Sequence, residues 1–164
     1  GIILMILIIL GTQKFQFNRL IKKVDKLIED DQIKDSVIAQ IGYSNYKPIN
    51  YKFSDFFDQS EFDSLINKSD IIITHGGVGG IVSSLKKNKK IIVVPRLKKY
   101  REHIDDHQLE IARAFQRKNL VILNENLNKL CNDISKIESF EPIHYVKDNK
   151  KIICEIKKFI SKVK

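Results

Sequence analysis

Five short apolar runs govern what this chain can fold into: 2–10 (IILMILIIL), 36–41 (SVIAQI), 71–74 (IIIT), 91–94 (IIVV) and 120–123 (LVIL). Each is rich in β-branched residues and nearly continuous, the pattern of a strand buried on both faces rather than one with a wet side. Helical periodicity lies between them. Leu20, Val24, Leu27 and Ile28 form one apolar stripe, Ile81, Val82 and Leu85 a second, and Leu109, Ile111, Ala112 and Phe115 a third. Strands alternating with amphipathic helices require βαβ crossovers. The expected fold is therefore α/β, a Rossmann-like parallel sheet with helices on both faces.

A weaker extended segment, 51–57 (YKFSDFF), precedes a short helix over 60–67 that Ser60 is placed to cap. With 164 residues and no internal repeat or low-complexity linker, the chain suits one compact body, expected over 1–147. The tail 148–164 puts Ile152, Ile153, Ile156, Phe159 and Ile160 on one stripe opposite lysines. It reads as an amphipathic helix that packs on the domain or on a partner.

The opening apolar run covers about half of the roughly 20 residues that a membrane-spanning helix needs, so it is expected to be a strand. It lacks the preceding basic stretch and the following small-residue site of a signal peptide. Met5 is a candidate start, which leaves residues 1–4 unassigned. Cys131 and Cys154 have neither metal-ligand spacing nor further cysteines beside them, which fits a reducing cytoplasm. Lys plus Arg number 29 against 20 Asp plus Glu, a net charge of +9 that favours anionic partners. The lysines are not interleaved with aromatics as in nucleic-acid-binding modules, so no nucleic acid is expected as a partner.

The segment of greatest chemical interest is Ile71-Ile72-Ile73-Thr74-His75-Gly76-Gly77-Val78-Gly79-Gly80, a buried strand entering a glycine loop and then a helix. Glycines admit a ligand close to the backbone, and the first N–H groups of a helix have no partner within it, so an anion such as a diphosphate is the natural occupant. The loop matches neither the dinucleotide fingerprint nor the Walker pattern. His75 stands at a strand's carboxyl end, where ligands of open α/β sheets collect. Gly11-Thr12-Gln13 repeats that arrangement after the first run. Farther on, Asp105-Asp106-His107-Gln108 opens a helix with an acid, an imidazole and an amide suited to sugar hydroxyls, one of the two aspartates serving as its cap. Glu102, His103, Asp106 and His107 share no clear helical face, and no metal is expected.

Gly11-Thr12-Gln13-Lys14-Phe15, Ile38-Ala39-Gln40-Ile41-Gly42, Thr74-His75-Gly76-Gly77-Val78-Gly79, Val93-Val94-Pro95 and Asp106-His107-Gln108 occur in this order. In combination they resemble the family 28 glycosyltransferase C-terminal domain. The resemblance runs over residues 5–145 and is nearest to the small PssE-type subunits of bacterial exopolysaccharide and capsule synthesis. Those in turn are similar to the soluble subunit of the eukaryotic UDP-GlcNAc transferase that makes dolichol-linked chitobiose.

The resemblance implies a GT-B architecture divided between two chains. This one would be the donor-binding half and a membrane-anchored partner the acceptor half, with a hexose passing from a UDP-sugar to a lipid-linked acceptor. Gly11, Thr12, His75, Gly76, Gly77, Val78, Gly79 and Gly80 would surround the UDP diphosphate, and Asp106, His107 and Gln108 would contact the donor sugar. Phe56 or Phe57 would lie near the uracil, with Ser83 near the ribose. The chemistry implied is metal-independent and inverting, with no cofactor, at the cytoplasmic membrane face and with the base in the partner. Two positions depart from the family: Ser83 stands where relatives carry a ribose-binding glutamate, and Gly80 where many carry Ser or Thr. These departures motivate an alternative expectation, a noncatalytic nucleotide-sugar sensor or enhancer.

Overall fold

The computed structural model describes residues 2–141 and 147–162. Six strands form one wholly parallel sheet: β1 (Met5–Ile9), β2 (Ser36–Gln40), β3 (Lys52–Ser54), β4 (Ile71–Thr74), β5 (Lys90–Val93) and β6 (Ile122–Leu123). Their order across the sheet is β3-β2-β1-β4-β5-β6. Register pairs Ile8 with Ala39 on one side and with Ile73 on the other. The order reverses at β1, so the crevice beyond the carboxyl ends of β1 and β4 is the topological switch point, where sheets of this kind accept ligands.

Period-two alternation along the strands feeds two cores. Ile6, Ile8 and Leu10 face a layer containing α1 (Asn18–Glu29) and α5 (Leu130–Ile137), through Leu20, Ile21, Val24, Leu130 and Ile134. Leu7, Ile9, Ile72 and Ile91 face the opposite layer, in which α2 (Gln59–Lys68), α3 (Val78–Lys86), α4 (His107–Arg117) and α6 (Lys147–Lys162) contribute Ile66, Ile81, Ala112, Phe115 and Ile156. Helices thus cover both faces, and each fully buried Leu, Ile or Phe contributes about 1.5–3 kcal/mol of transfer free energy. The helices α1, α3 and α4 stop at Asp31, Asn88 and Asn119, all at positive φ, where these short polar residues tolerate the left-handed conformation.

Several local expectations are corrected. The run 2–10 is a strand only over Met5–Ile9, and Ile2 and Ile3 are 89% and 70% exposed. The cap of α2 is Asp58 rather than Ser60: its carboxylate accepts the N–H of Glu61 at 2.8 Å, so the helix begins one residue earlier. The apolar face of α4 leaves Leu109 half-buried, and the neighbouring Gln108 is buried instead. In α6, Ile156 is buried in the core that also contains Ile111 and Phe115, while the side chains of Ile152, Ile153, Phe159 and Ile160 lie outside the described residues.

Candidate functional site

A cleft of about 840 Å³ opens over the carboxyl ends of β1 and β4. Its floor is built from the two glycine loops. Gly11 leaves β1 at φ +74°, and a Cβ there would lie 2.5 Å from His75 Nε2, so both backbone conformation and space require glycine. Thr74 donates its hydroxyl to Ile9 O at 3.0 Å, tying β4 to β1 just below the cleft. Gly76 and Gly77 pass against the start of α4 and the His75 ring. Added Cβ atoms would meet Gln108 O at 2.4 Å and His75 Cε1 at 2.3 Å.

The first turn of α3 has no side-chain cap, because Gly77 at the cap position has no side chain. Val78, Gly79 and Gly80 of that turn line the cleft, so the positive end of the helix dipole, with N–H groups that have no partner within the helix, lies at its wall. A Cβ on Gly79 would meet nothing within 4 Å, so the space above that turn is open. Gly80 is closer packed, 3.1 Å from Thr74 Oγ1 to its ideal Cβ.

Behind the loops stands a buried polar network. Arg96, fully buried, donates from Nη2 to Leu10 O (2.8 Å) and Phe15 O (3.2 Å), bracing both ends of the loop that carries Gly11, Thr12 and Gln13. Burial pushes the Arg96 guanidinium down to about 10, opposed by the Glu102 charge. Glu102, also fully buried, accepts two bonds from Arg19 at 3.0 Å each and one from the N–H of Leu97. Gln16 donates to Tyr100 O and Arg101 O, and the Phe15 and His103 rings meet at 4.8 Å. The segment between β5 and α4 is thereby fastened to the segment after β1.

His75 is 7% exposed and is pushed down to about 3, first by burial and then by the Arg96 charge. Its imidazole is therefore neutral near pH 7. Nδ1 lies 3.3 Å from Gln108 Oε1, which also accepts the Arg96 N–H at 3.2 Å.

The cleft gathers most of the expected residues and separates others. Gly11, Thr12, His75, Gly76, Gly77, Val78, Gly79, Gly80, Ser83, His107, Gln108 and Phe57 line it. Phe56 does not: it is 42% exposed and meets Tyr43 edge-on at 5.4 Å. Asp106 is also outside the lining, because its carboxylate accepts the N–H of Lys98 at 2.8 Å. Asp106 is the residue before α4 but gives no side-chain cap; Asp105 accepts the N–H of His107 instead, which holds its carboxyl below the usual range. Asp105 lines the cleft and pairs with His103 at 3.1 Å. The Ser83 hydroxyl donates back to Gly80 O at 3.2 Å. His107 Nδ1 is 3.5 Å from Glu110, and its buried Nε2 has no partner among the described residues.

Gln13 and Asp105, which stand in the two segments singled out from the sequence, also line the cleft, whereas sequence reasoning missed Gln40, Gln59, Phe62 and His103 in the lining. Position after a strand flagged only the loops of β1 and β4, although Gln40 ends β2 in the same way. Among the described residues no lysine or arginine lines the cleft; its ionisable groups are His75, His103, His107 and Asp105. Among the described residues no set of three His, Cys, Asp or Glu is placed to hold a metal ion, and no helix is long and apolar enough to cross a membrane.

Comparison with known proteins bears on the family and the fold. The chain is 33% identical over 112 residues to the UDP-N-acetylglucosamine transferase subunit ALG13 of Candida albicans, covering 65% of this chain and 36% of that protein. The Candida glabrata protein of the same name is 26% identical over 107 residues, covering 65% of this chain and 51% of the relative. The chain thus spans about a third to a half of the length of these two relatives. Among solved structures, the NMR structure of ALG13 superposes with a TM-score of 0.60 at 20% identity, over 91% of this chain and 92% of that one. MurG of Acinetobacter baumannii gives 0.56 at 14% identity, over 92% of this chain and 44% of that one. These likenesses establish the fold. The model of the glycosyltransferase family 28 C-terminal domain matches residues 5–163, and the chain belongs to that family.

Proposed function

We propose that this chain is the donor-binding subunit of a glycosyltransferase, holding a UDP-sugar in the carboxyl-edge cleft while a membrane-anchored partner presents a lipid-linked acceptor. The observation that carries the reading is the uncapped first turn of α3 beneath open space, with Gly11 and His75 on the facing side. The cleft volume falls within the range of small-molecule sites, roughly 300–1,000 Å³. The two relatives named above are UDP-N-acetylglucosamine transferase subunits, which makes that sugar nucleotide the first donor to test. On this reading the helix N–H groups stabilise the diphosphate as negative charge develops on the departing UDP, metal-independently and with inversion at the sugar. His107 and Gln108 stand at the sugar end, and Phe57 and Ser83 on the nucleoside side. The base comes from the partner, and the pair works at the cytoplasmic membrane face in polysaccharide synthesis.

Calorimetric titration with UDP and then UDP-hexoses tests the site. Saturable binding weakened by His75→Ala is expected; no binding, alone or with the partner, rejects a donor site. A second reading, a noncatalytic nucleotide-sugar sensor or enhancer, is favoured by Ser83, whose hydroxyl is engaged with its own helix. It predicts binding without turnover in any complex, and transfer by a reconstituted pair that His75→Ala abolishes would exclude it.

A further inference from the structure

The bonds of Gln108 fix more than a side-chain position. A backbone N–H can only donate, so the Gln108 amide oxygen must be the atom facing Arg96 N at 3.2 Å. The same oxygen faces His75 Nδ1 at 3.3 Å, and two acceptors would repel there, so Nδ1 carries the proton of the neutral ring. Nε2 is left as a lone pair beside Gly11 and Gly77, at the floor of the cleft. A lone pair repels an anionic oxygen. Moving the ring proton to Nε2 would turn two acceptors toward each other at Nδ1, and turning the amide to relieve that would set its NH₂ against the Arg96 N–H. Adding a proton at Nε2 keeps every bond and supplies a donor.

We propose that Gln108 is a positioning residue, and that binding of the donor diphosphate takes up one proton at His75 Nε2, forming an imidazolium beneath the phosphates. The inference rests on the donor-site reading above and specifies how that site balances charge. Without lysine or arginine in the lining, the fixed attractions for a diphosphate are backbone N–H groups and neutral side chains such as Thr12 and Gln13, and the positive charges that can be added are protons on histidines. The groups facing His75 are the Arg96 guanidinium from beyond β5, His103 from the segment before α4, and the neutral Gln108 on α4; the loops before α1 and α3 approach the ring through Gly11 and Gly77. Asp105 and His107 share the cleft. Arg96 and burial hold the free ring neutral, and a dianion reverses that balance.

The test uses a UDP-hexose, whose diphosphate diester does not itself titrate near neutral pH. Titration in buffers of different ionisation enthalpy should show uptake approaching one proton below the pKa of the bound imidazole, and between the pKa of the free ring and that of the bound one affinity should fall by up to about tenfold per pH unit, levelling off above. Ring nitrogen NMR should report a bare His75 Nε2 in the free protein and two N–H groups in the saturated one. Gln108→Glu places a carboxylate at Nδ1, so the ring is charged before binding, and both proton uptake and the pH dependence should fade. His103→Gln should keep the uptake. Saturable binding with no proton uptake, a bound ring still bare at Nε2 or at Nδ1, or an uptake that disappears in His103→Gln overturns the inference. No binding of the UDP-hexose rejects the donor-site reading and this inference with it.

Discussion

Gly79→Ala separates the needs of the fold from the needs of the ligand. Gly79 is the second residue of α3, has no positive φ, and offers an added Cβ no neighbour within 4 Å. None of the described residues resists the methyl group. Restricting the unfolded chain and improving helix propensity should then stabilise the protein by about 0.5–1 kcal/mol. For a chain of this size that is a rise in Tm of roughly 1–4 °C. The same methyl group stands over the N–H groups of the first turn, where the reading places the diphosphate. Keeping phosphate oxygens from one charge-assisted bond should cost about 1.5–3 kcal/mol, or roughly 10- to 100-fold in the Kd for UDP. Thermal unfolding of the free protein and calorimetry with UDP measure the two effects on one sample. A higher Tm with unchanged affinity would mean that the anion does not lie over α3. A lower Tm would mean that the space above Gly79 is not open.

Three further perturbations address other parts of the structure. Gly76→Ala forces a Cβ to within 2.4 Å of Gln108 O, a backbone atom that cannot rotate away, so urea unfolding should show a loss of about 1–3 kcal/mol or more; an unchanged midpoint would refute the close packing of the glycine loop on α4. Ile156→Ala empties a buried site between α6 and α4 and should cost about 2–5 kcal/mol; a loss below about 0.5 kcal/mol would indicate that α6 does not contribute to the core. The free protein should also lose stability on acidification through His75. Its folded value near 3 lies below the ordinary 6.5, so as pH falls the unfolded chain binds the proton first. Stability is complete above about pH 6.5 and declines toward pH 3 by up to about 1.4 kcal/mol per unit, and His75→Gln should remove that component of the slope in urea titrations.

The centre of the sheet was legible in the sequence because β1, β4 and β5 are buried on both faces. Continuous β-branched runs such as Ile71-Ile72-Ile73-Thr74 leave little choice of period, and that run matches β4 end to end. The glycine loop was legible for a related reason, since strand, glycines and helix are consecutive. What escaped was set by contacts across the chain. Asp58 and Ser60 are both good caps, and only the path of the chain into α2 selects the aspartate. Phe56 and Phe57 are adjacent with opposite fates, one paired with Tyr43 and one in the cleft. Gln108 read as a sugar ligand because its amide suits hydroxyls. Its engagement with His75 and Arg96 spans 33 and 12 residues, which no local pattern encodes.

The strand order explains why these distant residues converge. Because β1 lies between β2 and β4, the loop with Gly11 emerges beside His75, although 64 positions separate them in sequence. Because β5 follows β4, Arg96 emerges on the other flank, reaches under the first loop to Leu10 O and Phe15 O, and offers its N–H to Gln108. Three neighbouring strand ends thus deliver the backbone donors, the titratable ring and the buried cation that keeps the ring neutral. The same topology accounts for the placement of charge. None of the described lysines or arginines lines the cleft, and a Debye length of about 8 Å at physiological salt limits the reach of those on the surface. Attraction at the site depends instead on short-range groups: N–H dipoles fixed by the fold, and a proton that His75 accepts only when an anion is there to hold it.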